Sequence, residues 1–317
     1  MTPGMSDVVL TDTYRLRDQD GGTIPYARYI WRGPPNVPVF SLENCRDVVS
    51  ERIDVVCERP CEAIMICERT RRTSGTIPST MHGFTRWRVQ ANGLVDRGMW
   101  CRATIDGNNE HMEFHANWFA GVRRPFVFEG QQSKHHRLTH NIVERYEVAV
   151  SADSGFHWEG GTIAVGGVAF RLTRVGDPVS IAHVGIEATS RILETSGPTT
   201  ASQPVTLDDV RYEADQLHTD GDAIVVRHAG CLNLLHSRLG GGAQRIPRVA
   251  LLGIGDQSAE IRGNTFGAFG AHHVCPIRAP RSMHAKVNWG RNTYQRDAND
   301  SRNTDTRITW PPTSYGA

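Results

Sequence analysis

Three residues with titratable side chains recur at nearly one spacing along the chain: His183, Asp209 and His236. Residues at one phase of a repeating fold stack on neighbouring coils about 4.8 Å apart. A His-Asp-His ladder of this kind could orient an imidazole as a general base or hold a divalent metal. The competing reading is a set of solvated turn residues that share a phase by chance, since the chain has 14 histidines. Trp118, Arg211 and Arg238 share a second phase, two positions further on. They offer an indole face for stacking and guanidinium forks for bidentate bonds to a sugar, or they are exposed turn residues with no ligand. The chain has no Gly-rich phosphate loop, no G-x-S-x-G and no H-E-x-x-H. No cofactor is expected.

The elements that would position these residues follow from a repeat. An apolar residue, a polar or small residue at +3 and an apolar residue at +5 fit Val89-Asn92-Leu94, Phe114-Asn117-Phe119, Leu138-Asn141-Val143 and Trp158-Gly161-Ile163. The pattern continues through Ile181-Val184-Ile186, Leu207-Val210-Tyr212, Leu234-Ser237-Leu239, Ile261-Asn264-Phe266 and Trp289-Asn292-Tyr294. The mean step is about 25 residues, within the range of solenoid repeats. Five of the nine +3 positions are asparagine in a chain with 13 asparagines, too many for chance. Each unit carries a second short apolar run upstream, such as AIMIC (63–67), PFVFE (125–129) or AIVVR (223–227). These have the length and composition of strands. No window holds a helical apolar period over four turns. Short strands recurring at one phase predict a parallel β-solenoid of about 10–11 coils. The +0 and +5 residues would form apolar stacks inside, and the +3 asparagines would pass amide hydrogen bonds from coil to coil.

The template places the solenoid at 38–295 as one domain. Residues 1–37 read as a cap or attachment segment, and 296–317 as a tail that is flexible or packs on a neighbouring subunit. Apolar side chains concentrate at Ile24, Tyr26, Tyr29, Ile30, Trp31, Val37, Val39 and Phe40, and again at Ile308, Trp310 and Tyr315. If exposed, they mark an interaction site.

Composition bounds the partners. The formal charge of +1 gives no bulk attraction to nucleic acid or anionic lipid. The apolar runs are too short for membrane insertion. Only Lys134 and Lys286 are lysines, so 33 of the 35 basic residues are arginine; GC-rich codon usage accounts for this more simply than a taste for bidentate partners. The opening stretch, MTPGMSDVVLTDTYRLRDQD, lacks a basic start followed by an apolar core, so no secretory signal is expected. Seven cysteines then read as reduced thiols rather than a disulfide framework. The x3 and x5 spacings of Cys57, Cys61 and Cys67 match no zinc knuckle, and the expectation is that they are small core hydrophobes and that no metal is bound.

Units ending in N-x-aromatic, as in IRGNTF (261–266) and WGRNTY (289–294), resemble right-handed parallel β-helices of the pectate-lyase-like superfamily. The resemblance implies the handedness. It also brings three kinds of relative into view: polysaccharide lyases, polygalacturonase-type hydrolases, and tailspikes and other virion proteins of bacteriophages. HTDGDAI (218–224) resembles the Asn-Thr-Asp element of the hydrolases, which work with paired carboxylates, and Asp220 would match its aspartate. The rest of that pattern is missing: GAQRI stands where an Asp-Asp should follow, and no Arg-Ile-Lys is present. A polar turn capping a strand is the better account of Asp220 and Asp222. A lyase would need an arginine or lysine base near a calcium-binding carboxylate cluster; Arg137, between Glu113 and His157 at the −1 phase, forms a surface stripe of that kind, and three solvated residues on a rod are the simpler reading.

The resulting expectation is a structural virion protein of a bacteriophage, a tail spike, fibre or capsid-surface β-helix. It would be assembled in the host cytoplasm as a homo-oligomer, with a trimer favoured, alongside other virion proteins, and would bind a bacterial surface polysaccharide or receptor. The alternative is a glycoside hydrolase or polysaccharide lyase on the same fold, using Asp209, Asp220, Asp222, His183 or His236. A third reading is a non-catalytic carbohydrate-binding solenoid of cellular origin.

Overall fold

The computed structural model describes residues 5–70, 83–103, 108–174, 177–195, 205–214, 221–227, 232–241, 247–252, 258–268, 277–279 and 286–295. Among these the regular structure is all β, with no α-helix, and the strands pair in parallel as a β-solenoid. The chain divides into two compact units, Met1–Thr162 and Ile163–Ala317.

In the first unit, one ladder runs through Ser50–Glu51, Phe84–Thr85, Glu113–His115, His136–Thr139 and Phe156–Glu159. A second runs through Asp7–Leu10, Arg28–Trp31, Asp54–Cys57 and the first halves of the long strands Arg88–Arg102, Trp118–Glu129 and Ile142–Ala152. The second halves of these long strands form a third ladder with Tyr14–Arg17, Phe40–Glu43 and Cys61–Glu68. The second unit repeats the scheme. Val179–Ala182, Val205–Asp208, Leu232–Leu235, Ala259–Arg262 and Val287–Gly290 form its first ladder.

Alternation makes the core. In Glu113–His115 only Phe114 points inward, and Leu138, Trp158 and Ile181 are likewise fully buried at the equivalent position. The register pairs Phe114 with Leu138 and Leu138 with Trp158, and it pairs Ile181, Leu207, Leu234, Ile261 and Trp289 in succession, as the spacing predicts. Each fully buried residue of this size contributes about 1.5–3 kcal/mol. The first unit builds its stack largely from rings: Phe84 and Phe114 lie stacked with centroids 5.6 Å apart, and Phe126 meets Trp158 edge-on at 5.9 Å.

The first and second ladders meet at a sharp corner set by the +2 residue, which adopts a positive φ. Arg86, Ala116, His140, His183, Asp209, His236 and Arg291 all do so. Short polar side chains tolerate that region better than β-branched ones. The next residue closes the corner. Asn117 Nδ2 donates to the Phe84 carbonyl at 2.9 Å and its Oδ1 accepts from the Trp87 amide at 2.8 Å. Asn264 and Asn292 repeat this in the second unit, with Ser237 between Val210 and Asn264. These side chains satisfy backbone groups that the turn leaves without ladder partners.

Two expectations need correction. The triplet Val89-Asn92-Leu94 is out of phase: Val89 pairs with Phe119 at +5, and the anchor of that coil is Phe84, paired with Phe114. Asn92 has a positive φ at a different bend, further along the same long strand, and so mimics the corner signal. The apolar residues of 24–40 are not a surface. Ile24, Tyr29, Ile30, Trp31, Val39 and Phe40 are buried in the solenoid's own coils, and of that set only Tyr26 is well exposed. Coils therefore start ahead of residue 38. The template misses them because Ser50 occupies an anchor position, while Ala27 and Ile53 stand where asparagine does later. Residues 296–317, with Ile308, Trp310 and Tyr315, lie outside the described residues.

Candidate functional site

In the first unit, side chains that flank each buried anchor of the first ladder point outward in two parallel files. The +1 file runs Glu51, Thr85, His115, Thr139, Glu159. The −1 file runs Glu113, Arg137, His157, so Arg137 does lie between a carboxylate and an imidazole. Together with Gly21, Gly22 and Asp47 of the preceding turns and Arg86 and His140 at the corner, most of these residues line a groove of about 1040 Å³.

Its charges are cross-linked. Arg86 meets Glu51 at 3.1 Å, Arg137 approaches Glu159 at 3.8 Å, and His157 Nε2 lies 3.3 Å from the same Glu159 oxygen. His115 Nδ1 is 2.7 Å from the Thr139 hydroxyl, and its ring meets His140 edge-on at 5.6 Å. Partial burial, followed by the neighbouring His140 and Arg86, pushes the His115 pKa below its ordinary value. At neutral pH this imidazole is therefore uncharged and able both to donate and to accept. The groove thus presents a run of hydroxyl, imidazole, carboxylate and guanidinium groups at one coil spacing.

In the second unit the residues of the expected histidine ladder form two His–Asp pairs. His183 and Asp209 meet at 3.0 Å, Nδ1 to Oδ2. His236 Nδ1 instead pairs with Oδ1 of Asp208, at 2.9 Å. The carboxylates come from adjacent residues because Asp208 ends its strand and Asp209 forms the corner. All four side chains are well exposed. Among the described residues, no group of three or more His, Cys, Asp or Glu side chains is arranged to hold a metal ion.

The remaining predicted residues do not join this ladder. Asp222 is fully buried on a different ladder, its carboxylate held by Arg248 at 3.0 Å and by Arg278. Asp220 lies outside the described residues. Arg211 and Arg238 are paired in register in the second unit, and Arg211 Nε approaches Asp209 at 3.9 Å. Trp118 belongs to the first unit, where the Arg88 guanidinium lies 4.9 Å from its ring centre. The five described cysteines, Cys45, Cys57, Cys61, Cys67 and Cys101, are buried free thiols.

Sequence reasoning misses most of the groove. The Glu113, Arg137, His157 file is visible from spacing, but Glu51, Arg86, His115 and Glu159 join it only through the +1 and corner phases of irregular coils. Comparison of the chain with known protein families, with curated proteins and with solved structures finds no match.

Proposed function

We propose that this chain is a structural β-solenoid that binds a glycan along the groove of its first unit, and that it serves as a virion protein of a bacteriophage. One observation carries the binding reading: outward files of polar side chains, spaced by one coil, line a groove of about 1040 Å³. An extended saccharide running across the coils would meet a new pair of hydrogen-bonding groups at each step. The virion reading draws on the resemblance to β-helix virion proteins and on the incomplete hydrolase pattern. The buried free thiols support assembly in a reducing compartment.

Titrating the full chain with bacterial capsular and surface polysaccharides tests the binding reading. At least one should bind, and Arg137→Ala with His115→Ala should weaken it at least tenfold. If no polysaccharide binds, or if the double variant binds as the parent does, the groove reading fails. Incorporation of the chain into phage particles tests the virion reading separately.

A second reading, polysaccharide cleavage, is favoured by the His183–Asp209 and His236–Asp208 pairs, since a carboxylate at Nδ1 orients an imidazole for general base work. Release of reducing ends or unsaturated uronates, lost in His183→Ala or His236→Ala, would establish it.

A further inference from the structure

Two strands of the first unit have open edges. Asp7–Leu10 pairs with Arg28–Trp31, and Tyr14–Arg17 pairs with Phe40–Glu43; among the described residues neither has a ladder partner on its other side. The inward files are incomplete at the same place. Val8 and Leu10 stand in register with the buried Tyr29 and Trp31, and Tyr14 and Leu16 with the buried Phe40 and Leu42. Yet Val8, Leu10, Tyr14 and Leu16 are themselves only half-buried, and Val9 is 48% exposed. An unpaired edge beside half-covered apolar side chains is a template for another strand.

The two edges complement each other when one is reversed. Both strands have four residues, and Leu10 and Tyr14 stand equally far from Asp12 on either side. Laid antiparallel about that centre, Asp7 faces Arg17, Val8 faces Leu16, Val9 faces Arg15 and Leu10 faces Tyr14. Inward side chains then meet inward ones, and the carboxylate meets a guanidinium. The backbone agrees. The Ser6 and Leu10 carbonyls accept from the Arg28 and Arg32 amides, and the Tyr14 and Asp18 amides donate to Val39 and Glu43. Alternation therefore turns the N–H and C=O groups of Asp7, Val9, Arg15 and Arg17 to the open side. Those four are the residues that the antiparallel register makes into hydrogen-bonded pairs. Pairing Tyr14–Arg17 with its own copy, centred on Leu16, would instead set Arg15 opposite Arg17, and like charges directly opposite are destabilising.

We propose that this end of the first unit is an interface with a second copy of the chain, in which Asp7–Leu10 of each copy pairs antiparallel with Tyr14–Arg17 of the other. The two strands lie on different ladders, so they cannot pair within one chain. A two-fold axis makes both pairings at once, as a self-complementary interface requires. Asp7 lies 3.9 Å from Arg28 and Arg17 lies 3.1 Å from Glu43, but their side chains are 52% and 67% exposed, open to a cross-strand partner as well. The proposal is independent of the glycan and virion readings.

Sedimentation velocity of the full chain at rising concentration should show a monomer–dimer equilibrium. Val9→Pro removes an edge N–H that no ladder within the chain uses, so it should weaken the dimer at least tenfold while the far-ultraviolet circular dichroism stays that of the parent. The register is read by cross-linking, which does not depend on how the proline variant folds. Val9→Cys chains mixed with Arg15→Cys chains should form a disulfide-linked dimer under copper–phenanthroline, and neither variant alone, nor the parent, should do so. A chain that stays monomeric at every concentration overturns the proposal. So does a trimer, a dimer that folded Val9→Pro leaves as tight as the parent's, or cross-linking of the mixture no greater than that of Val9→Cys alone.

Discussion

Asn117 Nδ2 lies 3.0 Å from Asn141 Oδ1, one coil away, and the same oxygen accepts from the Asn117 backbone amide at 3.0 Å. Asn141 in turn donates to the Phe114 carbonyl at 2.9 Å. Each amide therefore serves its own corner and the next one, and both side chains are fully buried. Asn117→Ala or Asn141→Ala leaves buried backbone groups unsatisfied, and each should cost about 1–3 kcal/mol in urea unfolding. The pair should be non-additive in a double-mutant cycle, because they share one hydrogen bond. Additive losses would show that the corners act independently.

Ile181 is fully buried between coils, paired with Leu207 in register. Ile181→Asp puts an unpaired carboxylate into that stack and disturbs its neighbours, so several kcal/mol of stability should be lost. An unchanged melting temperature would mean that the inward placement of this file is wrong.

His136 supplies a pH signature. It is fully buried, its Nδ1 accepts from the Met112 amide at 3.3 Å, and its Nε2 is 3.0 Å from the Ser133 hydroxyl. Ser133 Oγ donates to the Cys101 carbonyl at 3.0 Å, so His136 Nε2–H is the donor to Ser133. Burial, with some help from His111 and His135, lowers its pKa to about 3. The unfolded chain takes up a proton near the ordinary value while the folded chain refuses it. Stability should therefore be complete above about pH 6.5 and fall on acidification towards pH 3, by at most about 1.4 kcal/mol per pH unit from this group. His136→Gln should flatten that part of the stability–pH curve. A parallel curve in the variant would assign the acid sensitivity to other groups.

His236 packs its ring over Gly263 on the next coil, as His140 does over Gly160. Gly263 has φ +71, and a Cβ there would come within 3.0 Å of the His236 ring. Gly263→Ala should cost about 1–2 kcal/mol for the backbone alone, plus the displacement of the imidazole. His236→Ala in the same chain should recover the second part and leave the first. If the double variant is as unstable as the sum of the singles, the ring does not rest on the glycine.

The fold is legible where one residue type holds one phase. Leu138, Trp158 and Ile181 mark the stack, and Asn117, Asn141, Asn264 and Asn292 mark the corner, because a side chain that bonds the coil above must recur at the same place. The early coils are illegible. The steps from Glu51 to Thr85 and from Thr85 to His115, neighbours on one ladder, are both longer than any later step and break the mean period. Trp87 takes the corner position there, donating from Nε1 to Ser50 at 2.7 Å. The groove draws on those coils, so it is hidden with them. Phase alone finds the histidine ladder. It does not find the exchange of Asp209 for Asp208, because side-chain reach, unlike phase, is not written in spacing.

Asp209 and Asp222 have equal standing as candidates in the sequence, and their surroundings separate them. Asp209 is exposed at a corner, paired with His183 and near Arg211, where ion pairs are worth little. Asp209→Asn should change stability by less than about 1 kcal/mol. Asp222 is fully buried and pairs with two guanidiniums. Asp222→Asn removes the buried carboxylate that Arg248 and Arg278 share and should cost about 3–5 kcal/mol, the usual penalty for breaking a buried pair. Denaturant unfolding of the two variants side by side decides this. If Asp222→Asn is as stable as Asp209→Asn, the buried carboxylate does not hold the third ladder together, and its place as a structural group is lost.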